Sequence, residues 1–123
     1  MYLDEPGTQR YTPPFSLFYP DTGDFVAFVG NLGSRGLVKR CLGLFRKHAA
    51  FPSEGAALPS FIPGVGWSDH WAFWQGGYEA VMVTDTALYR SRSYHTPSDT
   101  PDTLNYPAMA RVCTGLEAML RGL

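Results

Sequence analysis

From Asp24 to Gly30 the chain reads D-F-V-A-F-V-G, a run of β-branched and aromatic residues stopped by Gly30-Asn31. An unbroken apolar run of this length predicts a strand buried on both faces. Leu37, Cys41, Leu44, Phe45 and His48 then fall on one helical face while Lys39, Arg46 and Lys47 fall elsewhere. That spacing predicts an amphipathic helix from about Arg35 to His48, with Ser34 as its N-cap and a basic last turn that suits the negative end of the helix dipole. Leu58 to Ile62, interrupted by Pro59 and followed by Pro63-Gly64, predicts a short second strand. Ser68 can cap a short helix over Asp69 to Gln75, which Gly76-Gly77 ends. Ala80 to Thr84 (A-V-M-V-T) reads as another buried strand, and Asp85 to Leu104 as a long polar loop. Tyr106, Met109, Val112, Cys113, Leu116, Met119 and Leu120 recur at helical spacing behind Asn105 and Pro107, predicting a helix that reaches the C-terminus.

Alternation of strands and helices argues for an α/β domain. Residues 1–23 carry Pro6-Gly7, Pro13-Pro14, Pro20 and Thr22-Gly23 around Phe15, Leu17, Phe18 and Tyr19, and read as an irregular arm tucked onto the body. At 123 residues the whole chain, 1–123, is expected to be one domain.

Charge narrows the class further. A net charge of −1, with 45% hydrophobic and 17% charged residues, describes a soluble globular protein without a nucleic-acid partner. Apolar stretches break well short of the roughly 18 residues that suggest a membrane span, and the N-terminus is acidic rather than signal-like. Neither a membrane partner nor a targeting segment is expected. Cys41 and Cys113 both lie in apolar helical patterns and read as buried thiols, with a disulfide between them as an open alternative.

The candidate chemistry gathers late in the chain. In open α/β sheets ligands bind beyond the carboxyl ends of the strands. The strand at 80–84 ends in the loop that holds Asp85, Tyr94, His95, Asp99 and Asp102, and Asp69 and His70 open the preceding helix. Imidazoles and carboxylates of this kind can bind zinc or move protons. Each also has a plainer reading. His95 can be an exposed loop histidine, Asp69 can favour the helix dipole, and Asp99 and Asp102 can make local turn bonds. Trp67, Trp71, Phe73 and Trp74 can be core or cleft wall, and His48 a helix-end cation.

Two blocks carry a specific resemblance: S-D-H-x-x-F from Ser68, followed by a G-x-x-A-x-x-x-x-D strand, and Y-H-T-x-x-D-T-x-D-x-L from Tyr94. With P-G-T-Q at Pro6 to Gln9 and G-D-F-V-A-F-V-G-N at Gly23 to Asn31, the chain resembles the C-terminal part of bacterial leucine-type aminopeptidases with paired zinc ions, whose fold the glutaminyl cyclases share. The resemblance implies a partial three-layer α/β/α zinc-exopeptidase fold with a mixed sheet, its N-terminal half missing. It implies that His95 is the last metal ligand, that Tyr94 stabilises an oxyanion, and that Asp69 joins a hydrogen-bond network around the substrate. Two zinc ions and a peptide substrate belong to the complete enzymes.

Other parts of that pattern are missing. Residues two positions after His48, His70 and His95 are Ala50, Ala72 and Pro97, so no H-x-D motif is present, and Glu5, Glu54, Glu79 and Glu117 are isolated rather than paired. One ligand of the set remains, and catalytic zinc needs about three. The isolated chain is therefore expected to be inactive, a fragment of a zinc aminopeptidase. Strand edges lacking their neighbours are expected to be covered by self-association or by the missing half. A non-enzymatic module that binds peptides or a partner is the alternative, and a rebuilt site from His70, His95 and Asp69 or Asp85 a third.

Overall fold

The computed structural model describes residues 3, 5–11, 13 and 15–123. Pro14 of the expected Pro13-Pro14 turn lies outside them. The sheet is built around one central strand, β1 (Val26–Gly30), with Val26, Ala27, Phe28 and Gly30 buried. It pairs in parallel with β2 (Ser53–Ala57) and antiparallel with β3 (Met82–Thr84), giving a mixed sheet of order β2-β1-β3. The fold is α/β, as its alternating pattern predicts, and only β1 is a two-sided central strand.

Helix α1 (Arg35–His48) turns Val38, Cys41 and Phe45 onto the sheet. Its close approach depends on small residues: a Cβ on Gly30 would lie 2.6 Å from Val38 Cγ2, and one on Gly55 2.8 Å from Leu42 Cδ2. Phe28 and Phe45, both 0% exposed, meet as tilted rings 5.2 Å apart at the centre of this layer. The C-terminal helix α4 (Tyr106–Arg121) packs beside α1 through Ala108, Gly115 and Met119. Asn105 caps it by accepting from the Ala108 amide at 3.0 Å.

Several expectations need correction. The second strand lies at 53–57 rather than 58–62, because Pro59 and Pro63 favour turns, and the Ile62 amide bonds back to the Pro59 carbonyl. Only the Leu58 amide extends the ladder, to the Gly30 carbonyl. Residues 80–84 do not form a fully buried strand: β3 is an edge strand of three residues with Val83 37% exposed. Ser34 precedes α1 without capping it, because its hydroxyl accepts the Ala80 amide and so ties α1 to the entry of β3. Asp69 rather than Ser68 occupies the N-cap of the short helix α2 (His70–Gln75), again without a side-chain cap. The segment expected to be loop contains a further helical turn, α3 (Ala87–Arg90), and a 3-10 turn over Pro101–Thr103. Cys41 is buried but Cys113 is exposed, and both are free thiols. α4 buries a stripe through Ala108, Val112, Gly115 and Met119, which leaves Tyr106, Met109 and Leu120 outward.

Candidate active site

Alternation along the strands divides the sheet into two faces. Val26 and Phe28 enter the core with α1, whereas Ala27, Val29, Glu54, Ala56 and Met82 line a cleft of about 480 Å3 on the opposite face. Tyr11, Tyr19, the segment around Val65 and Trp67, Tyr89 of α3, and the Tyr94-His95 pair close its walls. The direction of β3 places this cleft. Because β3 runs antiparallel to β1, with Thr84 opposite Ala27, the carboxyl end of β3 lies beside the amino ends of β1 and β2. The rule that ligands gather past the carboxyl ends of strands therefore applies here to β3 alone.

Tyr94 and His95 share this cleft. Their rings stack with centroids 4.0 Å apart and planes 17° from parallel, and His95 adopts a left-handed backbone at φ 57°. A non-glycine residue in that region is uncommon and costs backbone energy that the surrounding loop must offset. The loop does so locally: the Thr96 amide and hydroxyl both donate to the Ser93 carbonyl, at 2.9 and 2.8 Å, and the Asp99 amide donates to the Thr96 carbonyl at 3.0 Å. His95 itself is exposed and Tyr94 half-buried.

Asp69 is exposed at the start of α2, one residue beyond the cleft-lining Ser68. His70 is buried at 7% exposure; its Nε2–H donates to the Val65 carbonyl at 2.6 Å and its ring packs edge-on against Trp74. A carbonyl can only accept, so Nε2 carries the proton and Nδ1 is left as an acceptor with no hydrogen-bond partner among the described residues. His70 thus orders the 65–70 turn. Asp85 accepts the Ala87 amide at 3.1 Å in the turn that enters α3, and Asp99 and Asp102 are exposed, with a bond from the Thr100 side chain holding the Asp102 carboxyl below its usual range. Of the tryptophans, Trp74 is buried and donates to the Ala80 carbonyl, Trp67 lines the cleft, and Trp71 lies half outside.

Two groups that the sequence does not flag order this region, Tyr11 lining the cleft and Arg90 buried outside its lining. Arg90 is 5% exposed on α3, donating to Gln9 Oε1 at 2.7 Å and to the Phe25 carbonyl at 3.0 Å while lying 4.7 Å over the Phe25 ring. Burial pulls its guanidinium below the usual range, and Asp85, Tyr11 and Asp24 oppose that pull. Tyr11 sits between Tyr19 and Tyr89, at 5.8 and 5.3 Å, and burial pushes its hydroxyl up to about 12. No local pattern announces either group, since each depends on residues brought together from the arm and α3.

Donor chemistry decides what metal this set can hold. Among the described residues no group of three or more His, Cys, Asp or Glu side chains converges as a metal site. The rebuilt constellation of His70, His95 and a carboxylate is therefore not assembled. An exposed imidazole without two further protein donors does not fit catalytic zinc.

The fold is α/β with a Tyr-His loop over one face of a mixed sheet, and comparison with known proteins gives it a family. The profile of peptidase family M28 matches residues 27–119, and the chain belongs to that family. M28 peptidases are generally zinc-dependent metallopeptidases. The chain is also similar to YfbL, an uncharacterized protein of Escherichia coli K12, at 41% identity over 120 residues covering 97% of this chain and 37% of the relative. It thus spans about a third of that relative's length, and no solved structure matches it.

Proposed function

We propose that the chain is the C-terminal part of a zinc-dependent aminopeptidase, forming one wall of the site that cleaves N-terminal peptide bonds, and that it is inactive by itself. The observation that carries this reading is the Tyr94-His95 stack inside an apolar cleft of peptide-accommodating size. In the proposed enzyme His95 would contribute one ligand to zinc held mainly by residues outside this set, Tyr94 would offer its hydroxyl to an oxyanion, and Asp69 would organise polar groups near the substrate. The remaining donors and the general base must come from outside these residues, because one imidazole activates no water.

Zinc titration of the purified chain against a competing chelator, together with hydrolysis of a leucyl chromogenic amide, tests this. Weak zinc retention and no turnover above the metal blank are expected. Tight binding of one ion or more with turnover would overturn the claim of inactivity.

A second reading keeps the scaffold without the chemistry, as a module that binds peptides. The largely apolar, aromatic walls of the cleft favour it. Saturable peptide binding that ignores both zinc and the His95→Ala substitution would select it. On either reading we propose that the open edges of β2 and β3 are covered by a second copy or by further peptidase chain. A groove of about 310 Å3 between β3 and α4, lined by Val83, Met109, Val112 and Leu116, adds apolar surface beside the β3 edge.

A further inference from the structure

We infer that Glu54 makes this cleft selective for a ligand side chain that ends in a cation, a guanidinium or ammonium carried on an apolar stem. The inference rests on the cleft being a peptide site and names the class of residue that it takes.

Glu54 stands on β2 directly beside Ala27, which stands beside Thr84 of β3, and all three side chains face the cleft. This row crosses the sheet at the level where β3 passes into the loop bearing Tyr94 and His95. Among the described lining residues Glu54 is the single carboxylate, and no lysine or arginine lines the cleft. Tyrosines surround this end. Tyr19 reaches from the arm to the Gly55 carbonyl at 3.4 Å, and Tyr11 bridges the rings of Tyr19 and Tyr89. A carboxylate among aromatic faces favours a cation twice over, through direct charge attraction and through the ring quadrupoles, while the rings hold its methylene stem. Burial raises the Tyr11 and Tyr19 hydroxyls and charge from Glu54 adds to it at both, while at Tyr11 the buried Arg90 guanidinium opposes the rise more strongly than Glu54 supports it.

Arg46 is the competing partner. Its Nη2 lies 3.8 Å from Glu54 Oε2, beyond hydrogen-bond length, its side chain is half exposed, and it also donates to the oxygens of Ser53. With side chains 51% and 35% exposed and no hydrogen bond between them, this pair is weak and leaves the Glu54 oxygens able to accept from a ligand.

The test compares N-acetyl-arginine amide with N-acetyl-citrulline amide by titration calorimetry on the full chain. The two differ in side-chain charge and barely in shape, and acetylation removes the α-amine. Arginine amide is expected to bind about tenfold tighter, near the upper range of a cation–aromatic and charge contact combined. The preference should fall with added salt, and Glu54→Gln should reduce the ratio to about two- or threefold, the share that the rings keep, while citrulline amide still binds. Equal binding of the two amides by the unaltered chain, or a ratio that Glu54→Gln leaves unchanged, overturns the inference and leaves the peptide site standing. Absence of saturable binding by either amide overturns both.

Discussion

The Nε of Arg90 donates to Oε1 of Gln9 at 2.7 Å across 81 residues of sequence, in a place where neither group meets bulk water. The same guanidinium holds the Phe25 carbonyl, and Gln9 exchanges hydrogen bonds with the Thr86 hydroxyl. One cation thus fixes the N-terminal arm, the entry to β1 and α3 together. Arg90→Met should cost about 3 kcal/mol of unfolding free energy, since it leaves buried acceptors without donors. Arg90→Lys should recover little, because a point charge cannot reproduce the fork. Urea denaturation of the two variants checks this; losses under about 1 kcal/mol would show that the bonds are dispensable.

Alkaline pH should loosen the arm. Tyr11 titrates near 10 in the unfolded chain and at about 12 in the folded one, so the native state holds the proton more tightly. Its stabilising contribution is complete below pH 10 and is lost as pH rises towards 12, and the raised Tyr19 hydroxyl acts in the same direction. Two pH units correspond to about 2.7 kcal/mol. Because Tyr11 is partly open to water, about 1 kcal/mol is the realistic size. Stability measured through this range should fall less steeply in Tyr11→Phe; an identical slope would refute the assignment.

Backbone conformation at His95 gives a third test. At an ordinary position glycine is less stable than alanine by about 0.5 to 1 kcal/mol. At φ 57° an L-residue carries a left-handed cost of about 1 kcal/mol that glycine avoids. His95→Gly should therefore be at least as stable as His95→Ala in thermal unfolding. A glycine variant clearly below the alanine one would mean that this turn relaxes when the Tyr94 stack is removed.

Self-association is the expected state at tens of micromolar. A light-scattering mass above the 13.6 kDa of one chain, reduced by Val83→Lys on the β3 edge, is the predicted outcome. A monomer at all concentrations would show that the open edges need no partner.

How far the sequence reveals this molecule depends on where each signal originates. Helix α1 is legible because its burial follows a helical period, and strand β1 because its whole run is apolar. Strand β2 is hidden: S-E-G-A-A has no strand preference, and it pairs because Gly55 lets Leu42 of α1 approach. The apolar Leu58–Ile62 run attracts the strand reading instead, and its prolines decide against it. Residues 80 and 81 look like strand but lie outside β3, with both backbone groups of Ala80 engaged by Ser34 and Trp74. Tyr94, His95 and Asp69 can be picked out by motif, whereas the settings of Tyr11 beside Tyr89 and of Arg90 on Gln9 exist only after the arm has folded across the sheet.

The antiparallel course of β3 has a kinetic consequence. Because the cleft takes walls from both the arm and the segment after β3, loop closure across most of the chain must precede the meeting of Tyr11 with Tyr89. The α1–β1–β2 unit can close over short separations first. In hydrogen exchange, amides around Thr86 and Tyr89 should open below the global unfolding energy, ahead of those in β1. A bound side chain would then act as the last folding contact, slowing that opening as it fills the cleft.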